Sequence, residues 1–360
     1  MRIAFVHEYL NQFGGAERLL QVLCSLFPDA PIYTLLYDEN ATGGVFKDRI
    51  IRTSFLQKVP FAKKHHRIFP LLMPLAIELF DFSDFNLVIS ISASFAKGII
   101  TKPQTRHICY CLTPPRFLWD ESQQFIKDIG YPEIIKKIIP PFASYLRMWD
   151  REASFRVDEF WTISNFIKER IGKYYAKPSA VIYPPVNTSK FHISSDTDDY
   201  FFMVGRLVSY KKFDLAIKVF NKLNLPLKIA GAGPELKRLK RMAGPNTEFL
   251  GLVSDEKLAE LYSRAKACIF PQEEDFGIVP LESLASGRPV IAYRGGGAAE
   301  TLTENQTGLF FDKQTEESLN EAVKNFKPEN FNRAVCRARA EEFDIAVFKE
   351  KIQKLLVDNY

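Results

Sequence analysis

The sequence predicts an α/β protein of two doubly wound domains, and three observations support this. Short apolar runs alternate with amphipathic segments along the whole chain of 360 residues, which is the pattern of parallel sheets covered by helices. A Pro-Pro pair at 184–185 and the polar stretch 194–199 separate two sets of these runs, as a domain linker does. A chain of this length is also expected to form two hydrophobic cores.

Six strand candidates precede the linker and six follow it, and each is a short apolar run that ends at turn residues. Domains are predicted at 1–190 and 198–342, followed by a helix at 343–360 that returns to the first domain. Because doubly wound sheets bind ligands at the carboxyl ends of their strands, a cleft between two such edges is the expected site. The strand candidates lie at 3–7, 32–36, 87–91, 107–111, 159–163 and 180–183, and at 200–204, 227–230, 248–250, 267–270, 289–293 and 309–311.

The composition indicates a globular protein with an uneven charge. Residues 1–195 contain 24 basic and 18 acidic residues, a net charge of +6, whereas the remainder has 24 and 25. A basic first half suits a phosphate-bearing acceptor or a membrane surface, and an uneven solvated surface is the alternative. The five cysteines have no zinc-site spacing, which favours a reducing cytoplasmic location. The sequence contains neither a leader-like start nor an apolar run of about 20 residues that would span a membrane.

The segment 274–282 (EDFGIVPLE) places two glutamates where an apolar strand gives way to a helix. The helix is predicted to begin near Ile278, and the free N–H groups at its start favour an anion. Glu274 in the loop and Glu282 one turn into the helix can accept hydrogen bonds, one from sugar hydroxyls and the other from a ribose. A diphosphate would then lie between them. Two solvated glutamates are the alternative.

A second motif, GRLVSYKK at 205–212, also follows an apolar strand. Arg206 and Lys211 are candidates to clamp a diphosphate leaving group, the arginine as a fork and the lysine as a point charge. Neutralising the charge that builds on a departing nucleoside diphosphate is the largest catalytic contribution that such a site can make. A basic turn on a solvated surface is the alternative.

Glycines mark three further strand ends. Gly14 and Gly15 open a predicted helix after the first strand, where they let a ligand approach the backbone closely, although their spacing is not that of a dinucleotide-binding motif. Glycine turns at 231–234 and 295–297 follow two strands of the second half. The first of these turns could form the floor under a nucleotide base, and packing alone is the alternative for both.

Together these motifs resemble family 4 of the glycosyltransferases, retaining enzymes of the GT-B fold in which two Rossmann-like domains face each other across a cleft. More narrowly, the chain is similar to bacterial GDP-mannose-dependent mannosyltransferases of O-antigen and exopolysaccharide assembly. The likeness covers nearly the whole chain. The segments that carry it are GGAER at 14–18, ICYC at 108–111, TPPRFLWD at 113–120, VIYPPV at 181–186, GRL at 205–207 with Lys211, EDFGIVPLE at 274–282 and GRPVIAY at 287–293.

The resemblance implies roles for the charged residues. Arg206 and Lys211 hold the diphosphate, Glu274 holds hydroxyls of the donor sugar, and these three carry the reaction. Glu282 holds the ribose. Family members retain the anomeric configuration by front-face attack, so the two glutamates are binding groups and not the acid–base pair of a glycoside hydrolase. Neither a metal nor another cofactor is expected, since the nucleotide sugar is a substrate.

The resemblance also implies that backbone groups line the donor site. The first glycine pair approaches the phosphate and the reacting sugar carbon, and the loop before the second-half helix presents its backbone to sugar and phosphate. The residues that match these donor-binding positions are Gly14, Gly15, Phe276, Gly277 and Ile278.

One residue departs from the family pattern. The family commonly has a histidine before the Thr-Pro of the third segment, and this chain has Leu112. A leucine neither donates nor accepts a hydrogen bond, which bears on donor preference and on activity. His7, at the end of the first predicted strand, is a candidate to compensate.

Acceptor and membrane contacts are predicted in the first half. Arg116 and Asp120 follow a strand and are acceptor candidates, although a structural ion pair between them is the alternative. The apolar run 68–77 follows a basic stretch and is too short to span a bilayer. It could enter a membrane surface or meet a lipid-linked acceptor, and a core or cleft-lining helix is the alternative. The Asp-x-Asp at 196–198 is interpreted as solvated linker, and the basic run 237–241 as a solvated helix face rather than a nucleic-acid site.

The sequence therefore predicts transfer of a hexose, mannose from GDP-mannose, to a lipid-linked glycan in cell-surface polysaccharide synthesis. The reaction would take place in the cytoplasm, at the inner face of the membrane. Two alternatives of the same fold are a UDP-sugar-dependent transferase and a sugar-nucleotide epimerase. An alternative of another class is a non-catalytic nucleotide-sugar-binding protein, which Leu112 alone supports.

Overall fold

Each half of the chain folds around one parallel β-sheet. The computed structural model describes residues 2–123, 126 and 132–357. The chain divides into an N-terminal unit, Met1–Ile182, and a C-terminal unit, Tyr183–Tyr360. The described strands are β1 (Ile3–Leu10), β2 (Ile32–Tyr37), β3 (Ile51–Thr53), β4 (Leu87–Ser92), β5 (Arg106–Cys111), β6 (Glu159–Thr162), β7 (Ala180–Val181), β8 (Phe201–Val204), β9 (Leu227–Ala230), β10 (Thr247–Gly251), β11 (Cys268–Phe270), β12 (Val290–Tyr293) and β13 (Gly308–Phe311).

The two sheets share one strand order. In the N-terminal unit the strands run β3-β2-β1-β4-β5-β6-β7, and in the C-terminal unit they run β10-β9-β8-β11-β12-β13. All these neighbours are parallel, and in each sheet the direction of winding reverses beside the first strand, between β1 and β4 and between β8 and β11. Ligands of doubly wound sheets bind at this reversal, outside the carboxyl ends of the strands.

Helices and short 3-10 turns connect the strands. The α6 helix shows why they form, because its Phe213, Ile217 and Phe220 lie on one face and are buried against the second sheet, while Lys218 stays exposed. The described α-helices of four or more residues are α1 (Gly15–Leu26), α2 (Ala62–His65), α3 (Met73–Glu78), α4 (Glu133–Ser154), α5 (Asn165–Tyr175), α6 (Phe213–Leu223), α7 (Leu236–Met242), α8 (Asp255–Arg264), α9 (Ile278–Ala285), α10 (Ala298–Thr301), α11 (Glu316–Asn325), α12 (Arg333–Glu341) and α13 (Ile345–Val357).

The predicted strands are confirmed, with two differences. The first strand continues to Leu10, three residues beyond its predicted end, because it pairs with β2 as far as Tyr37. The short β3 was not predicted, since it has three residues at the edge of the sheet and exposes Arg52. The predicted C-terminal helix is α13, and residues 358–360 of that prediction lie outside the described part of the chain. No helix among the described residues is long and apolar enough to cross a membrane.

Candidate functional site

The winding of the second sheet reverses between β8 and β11, and both predicted charged motifs follow these two strands. The strands are direct neighbours, with Phe202 opposite Cys268. Gly205 and the exposed Arg206 come directly after β8, and the loop 271–277 comes directly after β11. The fold therefore brings two segments that are about 60 residues apart in sequence to one edge of one sheet.

Lys211 and Glu274 join these two loops. The Lys211 ammonium donates to Oε1 of Glu274, and the two side chains are 13% and 20% exposed. Gln272 also donates to this oxygen, at 3.3 Å. The pair is thus held at the sheet edge while part of each charged group stays open to solvent, as binding of a small anion and of hydroxyl groups requires. The structure brings Lys211 and Glu274 together, and Arg206 lies in the same loop as Lys211.

The glycine turn after β12 supports the Glu274 loop through its backbone. The Gly297 amide donates to the Glu274 carbonyl at 2.8 Å. A Cβ atom at Gly296 would lie 2.2 Å from that carbonyl oxygen, and one at Gly297 would lie 2.3 Å from the Cα atom of Phe276. Glycine is therefore required here for close packing of two backbones. The sequence marks the turn with three glycines but does not show which loop it holds.

The turn at 231–234 has a similar packing role. The Leu207 amide donates to the Ala232 carbonyl at 2.9 Å, and a Cβ atom at Gly231 would lie 1.9 Å from the carbonyl oxygen of Gly205. This turn therefore holds the backbone of the Arg206 loop, and its place under a nucleotide base stays a prediction.

Helix α9 begins at Ile278, as predicted, and presents its N-terminus beside the loop. Gly277 is its N-cap, with a left-handed φ of 85°. Glu282 lies one turn into the helix and is 7% exposed. Its Oε2 accepts a hydrogen bond from the buried Tyr262 hydroxyl at 3.0 Å. Sequence reasoning missed Tyr262, because an apolar face of α8 carries it and no motif surrounds it.

Burial separates the backbone of this loop from its aromatic side chain. Phe276 is 4% exposed and stacks on Tyr183, with ring centroids 5.7 Å apart. It also packs on Phe343 at 6.0 Å. The ring therefore anchors the loop in the interior, which leaves backbone groups of Phe276, Gly277 and Ile278 as the parts that a ligand can use. Cys268 lies at the start of β11, the strand before this loop. Burial raises the pKa of its thiol, and the charge of Glu282 raises it further.

In the N-terminal unit, Gly14 caps helix α1. Its amide donates to Oε2 of Glu17 at 2.7 Å, and Gly15 is exposed at the first helical position. Glu17 is 1% exposed, and burial raises the pKa of its carboxyl, which the hydrogen bond from Gly14 partly opposes. Glu17, in the first turn of α1, thus holds the backbone of Gly14 in place through this hydrogen bond.

His7 lies inside β1 and not at its end. The side chain is buried, neither ring nitrogen has a hydrogen-bond partner, and its Nε2 is 3.9 Å from Oε1 of Glu17. Burial lowers the pKa of His7 to about 4, against a weaker opposing effect of Glu8. Leu112 follows β5, half-buried, and its amide donates to the Ser92 carbonyl at 2.8 Å.

The two acceptor candidates are each paired with another residue. Arg116 donates to Glu121 at 2.6 Å, and Arg170 donates to Asp120 at 2.7 Å. Trp119, between Arg116 and Asp120 in the same loop, also holds it in place, because its indole donates to Oδ2 of Asp150 at 2.9 Å. These contacts hold the loop against helices α4 and α5, and an acceptor role for Arg116 and Asp120 stays a prediction.

The Asp-x-Asp of the linker is bound to an arginine. Asp198 receives two hydrogen bonds from Arg264, at 2.9 and 2.7 Å, and these bonds hold the pKa of the Asp198 carboxyl below its usual value. Among the residues that the structure describes, no group of three or more His, Cys, Asp or Glu is arranged to hold a metal ion. The basic run on α7 is exposed, as predicted for a solvated helix face.

Residues 187–343, which include the second sheet and both charged loops, match the family model described as Glycosyl transferases group 1. This part of the chain is therefore similar to the group 1 glycosyl transferases. The predicted resemblance to glycosyltransferases is confirmed for this part, which begins after the Pro-Pro pair and ends before α13.

Two proteins to which the chain is similar have names that state a sugar. The chain is 30% identical over 230 residues to the O-antigen chain mannosyltransferase RfbU of Salmonella typhimurium, an alignment that covers 59% of this chain and 63% of the relative. It is 36% identical over 110 residues to the GDP-mannose-dependent alpha-mannosyltransferase of Corynebacterium glutamicum, with 30% of this chain and 26% of the relative covered. The chain spans 48% to 63% of the length of three curated relatives that it matches.

A solved structure resembles the whole chain. Anabaena Alr3699/HepE, solved in complex with UDP, has a TM-score of 0.72 and 16% sequence identity, with 99% of this chain and 100% of that chain covered. At this identity the likeness concerns the fold. The predicted class, two Rossmann-like doubly wound domains of the GT-B type, is confirmed at the level of the two sheets.

Proposed function

We propose that the chain is a retaining glycosyltransferase that transfers mannose from GDP-mannose to a lipid-linked glycan in cell-surface polysaccharide synthesis, at the inner face of a membrane. The observation that carries this proposal is the Lys211–Glu274 pair, which joins the loops after β8 and β11 where the winding of the second sheet reverses. Doubly wound sheets bind nucleotides at this position. The pair supplies the two chemistries that a nucleotide sugar needs, a cation for diphosphate and a carboxylate for sugar hydroxyls.

Lys211 and Glu274 compensate each other before the donor arrives. Each side chain is mostly buried, and an unpaired charge in this position would lose solvation energy without compensation. In the proposal, the donor enters between them, so that Lys211 binds the diphosphate and Glu274 binds hydroxyls of the sugar. The exposed Arg206 adds a second cation to the diphosphate, and the N-terminus of α9 adds backbone N–H groups.

The chemistry then depends on positioning and on charge neutralisation. The bond between the anomeric carbon and the diphosphate oxygen breaks, and its electron pair leaves with GDP. The acceptor hydroxyl oxygen bonds to the same face of that carbon, and its proton passes to the departing phosphate. Arg206 and Lys211 stabilise the negative charge on the leaving group, which is the main electrostatic contribution in such sites. Because two cations meet the diphosphate, the proposal requires no metal ion.

The ribose subsite is assigned to Glu282. Its carboxylate accepts a hydrogen bond from Tyr262 inside the unit, which orients the group that we assign to the ribose diol. The names of the Salmonella and Corynebacterium relatives support mannose as the sugar, and the second supports GDP as the nucleotide. The first of these names also supports a cell-surface polysaccharide as the product.

A donor panel tests the proposal. Full-length protein is incubated with GDP-mannose and with UDP-sugars, with and without a lipid-linked glycan, and free nucleotide and transferred sugar are both measured. We expect turnover with GDP-mannose that is unchanged by EDTA. Glu274→Ala and Arg206→Ala should each lower kcat by about 10²–10³-fold. Lys240→Ala, on the exposed face of α7, is the matched control and should leave kcat unchanged.

Each other result points to a defined error. Turnover with UDP-sugars alone would replace GDP-mannose as the donor, and interconversion of a free nucleotide sugar would indicate an epimerase. Tight donor binding without turnover of any donor would indicate a binding protein and would contradict the proposal. Full activity of Glu274→Ala would show that the assigned site is wrong.

A further inference from the structure

Exposed apolar side chains are concentrated in the N-terminal unit. Among the described residues, 17 large hydrophobic side chains are exposed in the N-terminal unit and five in the C-terminal unit. Single exposed apolar residues are normal on a protein surface, whereas contiguous ones mark an interaction surface. Ten of the 17 lie on two neighbouring segments, 68–79 and helix α4.

Helix α4 carries one apolar stripe in its exposed face. The stripe residues follow one another at intervals of four, four, three and three, so they lie on one side of the helix. A different side is buried, through Ala143, Leu146, Asp150 and Ala153. The stripe is therefore additional to the face that packs on the core. Its residues are 47% to 73% exposed and are Ile134, Ile138, Phe142, Tyr145 and Met148.

The segment 68–79 repeats this arrangement. Met73, Ala76 and Ile77 are fully buried in the core of the unit. Phe69 is half-buried, and five further apolar residues of the segment are 39% to 64% exposed, three of them in the 3-10 turns before α3. These five are Ile68, Leu71, Leu72, Leu75 and Leu79.

The two segments pack against each other. The Trp149 indole on α4 donates to Oε1 of Glu78 at the end of α3, at 2.8 Å, and the guanidinium of Arg156 donates to the same oxygen at 2.6 Å. Ile77 and Leu146 also belong to one core cluster. The exposed apolar residues of the two segments thus lie on adjoining elements. We name these ten residues the α3–α4 face.

The sequence that leads into the first segment of this face is basic. The sequence from Arg49 to Ile77 contains six Lys or Arg residues and neither Asp nor Glu. Two of these lysines, Lys58 and Lys63, are exposed. Apolar residues beside lysines are the pattern of a surface that enters the interface of an anionic bilayer. The same charge opposes pairing with a second copy of this face, because like charges would meet.

We propose that the α3–α4 face docks on the surface of an anionic phospholipid bilayer. The apolar side chains enter the headgroup boundary, the exposed lysines contact lipid phosphates, and α4 lies along the membrane plane. The inference deepens the proposed function and rests on it for the lipid-linked acceptor, whereas its test uses neither donor nor acceptor. The two ideas can therefore fail separately.

Vesicle binding of the full-length protein tests this proposal. Co-sedimentation is measured with vesicles of phosphatidylcholine alone and of an equimolar mixture with phosphatidylglycerol, at low and at high salt. We expect binding to the mixed vesicles that weakens with salt. The pairs Leu75→Asp with Leu79→Asp, and Ile138→Asp with Met148→Asp, should each weaken it by about tenfold or more. The pair Lys58→Glu with Lys63→Glu should do the same for the mixed vesicles.

The C-terminal unit supplies a matched control. Leu252 and Val335 are exposed apolar residues outside the face, and Leu252→Asp with Val335→Asp should leave binding unchanged. The urea midpoint from tryptophan fluorescence, measured without vesicles, should be the same in every variant of the N-terminal unit, which holds all three tryptophans. Far-UV circular dichroism checks the folding of the control pair. Where an aspartate pair fails this check, the charge-reversal pair at two exposed lysines decides the result.

Three results would overturn the proposal. The first is wild-type protein that does not bind mixed vesicles, and the second is equal loss of binding in the control pair. The third is a wild-type dimer in sedimentation velocity that the Leu75→Asp and Leu79→Asp pair dissociates without any change in vesicle binding, since the face would then hold a second copy of the chain. Vesicle binding without any affinity for GDP would contradict the proposed reaction and leave the membrane surface supported.

Discussion

Each of the two units contains a lysine–carboxylate pair beside its sheet, and the two pairs differ in their access to solvent. In the N-terminal unit, Lys97 and Asp150 are both 1% exposed. In the C-terminal unit, Lys211 and Glu274 are 13% and 20% exposed. The same two chemical groups therefore serve different purposes on the same fold. A closed pair can only hold the structure, whereas an open pair can exchange its partner for a ligand.

The surroundings of the closed pair are fully occupied. Lys97 also donates to the Ser94 carbonyl at 2.7 Å. The second oxygen of Asp150 accepts hydrogen bonds from the Trp119 indole and from the Tyr175 hydroxyl, both at 2.9 Å. Asp150 thus fixes the loop after β4, the loop that carries Trp119, and helix α5 from one buried position. The closed pair shows that buried charges can join several loops of the fold. The open pair differs because solvent, and therefore a ligand, can reach both of its charged groups.

Removing one member of each pair is the strongest way to break this comparison. Asp150→Ala leaves the Lys97 ammonium buried without its partner, so the free energy of unfolding should fall by about 3–5 kcal/mol. Glu274→Ala should lower it by less, by about 1–3 kcal/mol, because Lys211 is 13% exposed and keeps some contact with solvent. Urea unfolding followed by tryptophan fluorescence measures the first effect selectively, since Trp119, Trp149 and Trp161 all lie in the N-terminal unit.

A double variant provides the control for this measurement. Lys97→Met with Asp150→Leu removes both charges and should recover part of the lost stability. Far-UV circular dichroism checks the fluorescence result, because Trp119 itself contacts Asp150. Equal destabilisation by Asp150→Ala and Glu274→Ala would show that the two pairs are not different in kind.

Acid sharpens the comparison, because both buried histidines lie in the N-terminal unit. Burial lowers the pKa of His7 and of His107 to about 4, and His192 of the C-terminal unit is exposed. The unfolded chain takes up a proton at each of these histidines below about pH 6.5, whereas the folded chain does so only near pH 4. Stability is therefore complete above pH 6.5 and decreases as the pH falls towards 4. From pH 7 to pH 5 the loss should be about 2 kcal/mol per histidine.

Tryptophan-monitored urea unfolding at several pH values measures this loss. The raised pKa of Glu17 acts in the opposite direction, since a folded carboxyl that keeps its proton gains stability as the pH falls. The measured loss should therefore be somewhat smaller than the sum of the two histidines. His7→Gln removes one titrating group and should reduce the pH dependence by about half. A stability that is equal at pH 7 and pH 5 would contradict the pKa directions.

Local sequence patterns were sufficient for most of the strands and for the loops that carry the charged motifs. Apolar runs predict strands because a parallel sheet is buried on both faces, and Gly277 and Gly287 mark where α9 begins and ends. The short edge strand β3 lacks this signal. The end of β1 also lacks it, because Tyr9 and Leu10 join the strand only by pairing with Leu36 and Tyr37.

The pairings between distant residues could not be predicted from the sequence. Lys211 and Glu274 each follow a strand, but their contact depends on β8 and β11 being neighbours, which is a property of the sheet order. Lys97 and Asp150 are polar residues in unremarkable local sequence, and nothing near them indicates burial. A hydrophobic pattern shows where the core lies, whereas a buried polar group is recognised only when its partner is known.

The smallest predicted effect concerns the buried Tyr262. Like the closed pair, it is a buried polar contact, but it contacts Glu282, which we assign to ligand binding. Tyr262→Phe removes the hydrogen bond to Glu282, so the carboxylate that we assign to ribose binding loses one of the contacts that orient it. We expect KM for the donor to rise by about tenfold, equivalent to about 1.4 kcal/mol, with kcat unchanged. Steady-state kinetics with GDP-mannose measure both constants, and GDP affinity by calorimetry should fall by the same factor.

Tyr200→Phe is the matched control for this last prediction, because it separates orientation of Glu282 from general loss of stability. Tyr200 is also buried in the C-terminal unit, and its hydroxyl donates to the Leu261 backbone carbonyl at 2.7 Å. Both variants remove one hydroxyl from the same region beside α8, so both should lower the unfolding free energy by about 1 kcal/mol. Tyr262→Phe alone should raise KM, because its hydroxyl alone bonds a carboxylate assigned to the ligand. Equal KM values in the two variants would mean that Glu282 is oriented by other contacts or does not bind the ribose.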